Sequence, residues 1–356
     1  MRRKSVSVKV PKIDGEKTII LVNKLKLLDR KFKVRSDGDF VYIPLAHKPS
    51  ENELEELQSQ VAVADVSTYL FSERAKQAGT LVDLLNGMLA PDLTAALPRS
   101  ADVVGNIAIV EVPPKLEGYQ TVIGEAVLKL NKNVKTVLAK AGAISGTYRL
   151  REFKVIAGEP NTATIHKEYG CRYYVDLAEA YFSSRLSYEH HRVASLVREG
   201  ETVVDLFAGV GPFAIQIAKT HENVRVYAVD VNPHAIEFLR KNVRLNRMEN
   251  RVFPILGDAG DVVEEKLSGI ADRVIMNLPE RATEFVCASC KTLKPTGGII
   301  HFYSFIKASD SLKDAQTGFE EAAERCERKV GKILFSRLVR ATAPYEWQSV
   351  LDAQVV

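Results

Sequence analysis

The rhythm of apolar and polar positions changes three times along the chain of 356 residues. Residues 5–10, Ser-Val-Ser-Val-Lys-Val, alternate with a period of two and predict a strand. Over 15–28 the apolar residues Ile19, Ile20, Val22, Leu25 and Leu28 follow helical spacing. A second strand is expected at 39–46 after the turn Ser36-Asp37-Gly38-Asp39. The acidic run 50–57 predicts a helix with Ser50 as N-cap and Glu53 at the capping-box position. These elements make a small α/β module over 1–64, and the poorly patterned stretch 65–78 is expected to be a linker. A second unit, 79–173, mixes helical patterns (80–89, near 116–130) with strands at 106–112, 135–141 and 147–157. It ends in a hairpin that turns near 168–170, so α+β is expected there. From 174 onward the pattern becomes strictly α/β. The apolar strands TVVDLFA, RVYAVDV, VFPILGD, DRVIMNLP and GGIIHFYSF recur roughly every 25 to 30 residues with helical patterns between them. That alternation predicts a doubly wound, mostly parallel sheet.

Ligands of such sheets sit beyond the carboxyl ends of the strands, so the strand tips carry the candidate chemistry. The first strand ends at Asp205 and is followed by Phe207, Gly209 and Gly211, a glycine pair that permits a tight turn and close ligand approach. Pro212 suits the first helical position. The second strand ends at Asp230, 21 residues after Gly209, where an acid can accept from both ribose hydroxyls; Val231 follows it. The third ends at Asp258, followed by Ala259, and the fourth at Asn277, with Pro279 fixing the loop's φ. Two glycines alone equally serve a buried turn; with the acid at this spacing they point to a nucleoside ligand. Asp205 would repel a diphosphate and favour a cationic group, such as the amino group and sulfonium of S-adenosylmethionine. The Asn277 amide both donates and accepts, which suits a nucleobase edge, although an Asn also stabilises ordinary strand-end turns.

Composition adds exclusions. No run of 18 apolar residues exists, so no membrane span is expected, and the basic start lacks the apolar core of a secretory signal. Four cysteines suggest a reducing cytosol rather than a disulfide framework. The Cys287/Cys290 pair has no second pair or nearby His to make a metal site, so no metal is expected. Net charge is only +4, yet residues 1–35 hold twelve Lys or Arg against three acids. That face is either simply solvated or a phosphate-binding footprint, and charge alone leaves both open.

Taken together, VVDLFAGVGPFAI, AVDVNPHAIEFLRKN, RVIMNLP, YRLRE, TIHKEYG and YFSSRLSYEHHR resemble, in order, the motifs of the archaeal Trm5 family of tRNA (guanine-37-N1) methyltransferases, over nearly the whole chain. The resemblance implies a class I (Rossmann-like) methyltransferase domain over 174–356 that uses S-adenosylmethionine. It also implies an N-terminal domain that docks on the tRNA elbow and a middle domain, 79–173, that contacts RNA. A cytoplasmic monomer is expected. Residue by residue, Glu189 matches the base for the guanine N1 proton and Arg149 the contact to O6. Asn277 and Pro279 match the base-holding loop, and Tyr181 an aromatic that positions the guanine. Asp205, Phe207, Gly209, Gly211, Asp230, Val231, Asp258, Ala259 and Asn277 match the donor pocket, and Arg149, Arg151, Arg185 and Arg192 the RNA contacts. The chemistry is coherent: loss of the N1 proton makes the nitrogen nucleophilic, and a guanidinium near O6 stabilises the charge that develops. Read without the family, Glu189 could instead pair with Arg185 or Arg192, Arg149 could be a surface arginine, and Tyr181 or Phe182 a core residue. Three positions depart from the family pattern: His190 stands where it has Arg, leaving Arg192 as a substitute RNA contact; Ser184 replaces a proline; and Glu280 stands where a Lys is common. The competing functions are a wyosine-pathway enzyme, methylating the tricyclic base or transferring an aminocarboxypropyl group, and a non-catalytic tRNA-binding protein.

Overall fold

The structure, a computed structural model, describes residues 2–63, 65–73, 79–143, 145–307 and 309–356. The chain divides into two units, Met1–Thr80 and Leu81–Val356. In the first, β1 (Arg2–Pro11) is followed by α1 (Gly15–Lys24), β2 (Arg35–Asp37), β3 (Phe40–Pro44), α2 (Glu51–Gln58) and β4 (Asp65–Ser72) in an antiparallel sheet of order β2-β3-β1-β4. Val8, Val10 and Ile43 on the sheet are fully buried with Val22 and Leu57 of the helices. The capping box at α2 forms: Glu53 N–H donates to Ser50 Oγ, and Ser50 N–H to Glu53 Oε2.

The expected linker is corrected here. Residues 65–72 form β4, paired with β1 from Arg2↔Ser72 to Lys9↔Asp65. Of these only Phe71 is fully buried. With one buried side chain in eight residues the strand carries little apolar periodicity, which is why its sequence reads as unpatterned. The rest of the expected linker, 74–78, lies outside the described residues.

The second unit opens with α3 (Leu81–Leu85), α4 (Pro91–Ala95), β5 (Asp102–Val104), β6 (Ile107–Val110), α5 (Gln120–Leu130), β7 (Thr136–Lys140) and β8 (Phe153–Gly158), its strands ordered β5-β6-β7-β8. The strand expected from 147 begins only at Phe153. Before it, the bridge Ser145↔Leu150 closes a turn in which Gly146 and Arg149 take positive φ, +72° and +57°. The hairpin β9 (Ala163–Glu168) and β10 (Cys171–Asp176) follows, then α6 (Ser187–Leu196).

The remaining elements are β11 (Thr202–Asp205), α7 (Pro212–Thr220), β12 (Arg225–Asp230), α8 (Pro233–Asn246), β13 (Val252–Leu256), α9 (Ala259–Val262), β14 (Arg273–Met276), α10 (Val286–Thr292), β15 (Gly298–Lys307), α11 (Leu312–Glu324), β16 (Val330–Ala343) and β17 (Glu346–Val355). They build a seven-stranded sheet of order β13-β12-β11-β14-β15-β17-β16. β11 to β15 run parallel, while β17 is antiparallel to both neighbours. Successive residues alternate faces: Val203 and Ile275 pack with Phe213 and Leu239 of α7 and α8, whereas Val204 and Val274 pack with Val262, Val286 and Phe319 of α9, α10 and α11. Burial on both faces explains the continuous apolar strands. The strand order reverses between β11 and β14, and such a switch point opens a crevice at the strand tips.

Composition suggested a reducing cytosol rather than a disulfide framework, yet a disulfide is present. Cys287 on α10 is bonded to Cys326 just after α11, with Cα atoms 5.2 Å apart; Cys290 remains free and buried. The partners are 39 residues apart and are brought together only by helix packing. Among the described residues no helix is long and apolar enough to cross a membrane.

Candidate active site

One cleft lies at the switch point, lined on one side by the tips of β11, β12, β13 and β14. After β11 the loop carries Phe207, edge-on to Phe285 at 4.9 Å, and Gly209. Gly209 has φ +54° and donates its N–H to Asp230 Oδ2 at 2.7 Å. The other Asp230 oxygen accepts from Asn232 N–H at 2.9 Å. Burial pushes the Asp230 carboxyl above the usual carboxylate range, against those hydrogen bonds. Val231 and the exposed Asp258 also line the cleft, beside Gly257 and Ala259. Asp258 Oδ1 caps α9 by accepting from Gly260 N–H at 2.8 Å.

Two expected donor-pocket residues sit elsewhere. Gly211 does not line the cleft. At φ +90° it caps α7, and a Cβ there would lie 2.2 Å from Leu239 Cδ1, so this glycine allows α7 and α8 to pack. Asp205 is fully buried behind the cleft wall. Its Oδ1 accepts from Phe207 N–H at 3.3 Å and its Oδ2 has no partner among the described residues. Burial, with Asp230 adding to it, pushes this carboxyl up to about 7.

The facing wall comes from distant segments. The Arg149 guanidinium stands 5.2 Å from the Tyr181 ring centre, and its Nη2 pairs with Glu280 Oε1 at 3.1 Å. Its Nε is buried without a partner among the described residues. Tyr181, Asn277 and Pro279 line the same cleft. They are tied together by two residues that no motif flagged. Arg340 donates to Tyr181 Oη (3.0 Å), Ser183 Oγ (2.8 Å) and Gln348 Oε1 (2.9 Å). Gln348 Nε2 donates in turn to Asn277 Oδ1 at 3.0 Å. Arg340 and Gln348 belong to the β16–β17 pair, where the sequence offered no spacing signal.

Glu189 does not line the cleft; its neighbour His190 does, with Nδ1 on Glu168 Oε2 at 2.8 Å. The Glu189 carboxylate is 1% exposed and accepts from Tyr303 Oη (2.8 Å), Arg192 Nε (3.0 Å) and Arg337 Nη2. The alternative pairing of Glu189 with Arg192 is therefore present. Arg192 is corrected as a free RNA contact. Its side chain is 11% exposed and its guanidinium also grips Asp352, at 2.5 and 3.2 Å. The polar chain runs on through His301, whose Nδ1 donates to Asp352 at 2.6 Å and whose Nε2 accepts from Arg273, to Glu201. Burial works against the Asp352 charge, but His301 and Arg192 outweigh it and hold the carboxyl down at about 2. Arg185, paired with Asp102 at 2.6 Å, and Arg151 lie in an adjoining cleft with Lys140; Arg149, Tyr181 and Arg340 line both clefts.

Family models match three stretches: the tRNA methyltransferase 5 N-terminal domain over 7–53, the TYW2 N-terminal domain over 81–162 and the TRM5/TYW2 methyltransferase domain over 164–331. The tRNA (guanine(37)-N(1))-methyltransferase Trm5b of Pyrococcus abyssi is 38% identical over 351 residues, covering 99% of both chains. The solved complex of aTrm5 with tRNALeu superposes with a TM-score of 0.68 at 32% identity, over 98% of this chain and 99% of that one. Methanocaldococcus jannaschii Trm5 in complex with adenosine gives 0.64 at 32% identity over the same shares. The chain belongs to the Trm5 family of tRNA (guanine-37-N1) methyltransferases.

Proposed function

We infer that the protein transfers a methyl group from S-adenosylmethionine to N1 of guanine 37 in the tRNA anticodon loop. The observation that carries this reading is the convergence, on one cleft at the switch point, of the Gly209–Asp230–Asp258 side with Arg149, Tyr181, Asn277 and Pro279. The residues fit the donor: Gly209 leaves the turn open to it, Asp230 suits its ribose and the Gly257–Ala259 tip its base. When bound, S-adenosylmethionine supplies the electrophilic methyl. The protein's residues extract the guanine from its stack, hold it between Arg149 and the Asn277 loop, and exclude water. Arg149 offers its guanidinium to O6 as N1 loses its proton.

Glu189 is the base in this reading on two conditions, release of its carboxylate and a turn of that carboxylate into the cleft that its neighbour His190 lines. Its carboxylate is occupied by three donors, so it must first be released by Arg337, the more exposed of its guanidinium partners at 34% against 11%. In the same reading the first unit docks on the tRNA elbow, and the enzyme works as a cytoplasmic monomer. Aminocarboxypropyl transfer is not favoured, since the full-length relative at 38% identity is named a guanine-37 methyltransferase.

Incubation of tRNA transcripts carrying guanine or adenine at position 37 with labelled donor, followed by nucleoside mass spectrometry, tests the function. We expect 1-methylguanosine from the first transcript alone; no methylguanosine overturns the reading. The Glu189→Gln variant, which keeps partners for Arg192, should bind the donor normally in calorimetry yet lose about 100-fold or more in rate. Undiminished turnover removes Glu189 from the chemistry.

A further inference from the structure

The direction of the hydrogen bonds around Arg340 is forced. A guanidinium only donates, so the atom of Gln348 that faces Arg340 Nε at 2.9 Å is its oxygen. The Gln348 amide is thereby oriented, and its nitrogen is left to donate to Asn277 Oδ1 at 3.0 Å. Asn277 is oriented in turn: its oxygen faces Gln348, and its Nδ2 has no partner among the described residues in a residue that lines the cleft. The same guanidinium donates to Tyr181 Oη at 3.0 Å, which leaves the phenol's own hydrogen to point elsewhere. Gln348 is 1% exposed and directly opposite Arg340 in the β16–β17 register, so neither partner is free to turn without breaking the sheet edge's polar order.

We propose that Arg340 and Gln348 are positioning residues that turn the Asn277 amide nitrogen toward the substrate, so that Arg149, Tyr181 and Asn277 together present hydrogen-bond donors to the acceptor edge of the target purine. This rests on the function inferred above. A donor set reads the O6 of guanine, and it disfavours a purine with an amino group in that place because two donors would then face each other. A mere tie between loops would stabilise the fold but would carry no preference between those bases.

Gln348→Glu tests the difference. A carboxylate still accepts from Arg340, but its second oxygen can only accept, so the Asn277 amide must reverse and turn its oxygen to the cleft. We expect donor affinity to be retained in calorimetry and kcat on the guanine-37 transcript to fall by about 100-fold. In competition binding, discrimination between transcripts with guanine and 2,6-diaminopurine at position 37 should also shrink. Unchanged kcat and unchanged discrimination overturn the proposal. If Gln348→Glu does not fold, Arg340→Lys against Arg340→Leu decides: lysine keeps an obligate donor and should retain more kcat and the wild-type base preference, and equal behaviour of the two overturns it. Failure of the wild-type enzyme to methylate guanine 37 would instead remove the underlying function, a result that the variants do not mimic.

Discussion

Asp205 shows how one residue's meaning changes with depth. At a strand tip it reads as a ligand contact, but it lies behind the cleft wall with one oxygen unpartnered and its carboxyl pushed up to about 7 by burial. In the unfolded chain an Asp ionises near 3.9. A raised folded value means that the native state holds the proton more tightly, so the stabilising contribution is complete below about pH 4 and is lost as pH rises through about 7. Asp205→Asn removes this dependence. In donor-free protein, calorimetric melting should show the variant gaining on the wild type between pH 4 and pH 8, by up to about 4 kcal/mol. A gap that stays constant with pH would mean that Asp205 is ionised and paired. Glu189 teaches the companion lesson: its i,i+3 partner Arg192 was visible in the sequence, whereas Arg337 and Tyr303 are 148 and 114 residues away and were not.

At the scale of elements, the strand tips were legible because a doubly wound sheet repeats one local pattern, an apolar strand ended by a turn. The walls contributed by β16 and β17 were not, since their polar residues face a site built by other strands. The Cys287–Cys326 bond belongs here too. It ties α10 to the end of α11 across 39 residues, and α10 begins where the turn Pro279–Phe285 on the cleft ends. Closing a loop of that length is worth about 4 kcal/mol in the chain-entropy model. A reductant should therefore lower the denaturant midpoint of the wild type, while Cys287→Ser/Cys326→Ser should be insensitive to it. Equal sensitivity of both proteins would show that the bond is not closed in solution.

At the scale of the whole molecule, the basic first unit has two readings that a salt titration separates. Lys24, Lys31 and Lys33 are exposed, and their side chains have no ion-pair partner among the described residues. If they meet phosphates, replacing all three by Gln flattens the slope of log K against log salt for tRNA by roughly 0.7 to 0.9 for each phosphate that is no longer neutralised. The rate at saturating tRNA should change little. An unchanged slope, measured by filter binding, would leave this face merely solvated.

By itself the sequence determined what depends on neighbours along the chain. Hydrophobic period marked the apolar strands of the seven-stranded sheet, the capping box started α2, and glycines and acids marked the ends of β11, β12 and β13. The tertiary structure alone decided what depends on residues far apart meeting. It put β4 on the first sheet's edge, withdrew Asp205, Gly211 and Glu189 from the cleft wall, closed Cys287 onto Cys326, and placed Arg340 and Gln348 between Tyr181 and Asn277. The physical reason is that periodicity reports which face of an element is buried, while the direction of a polar side chain is set by the partner it finds, and that partner comes from another strand.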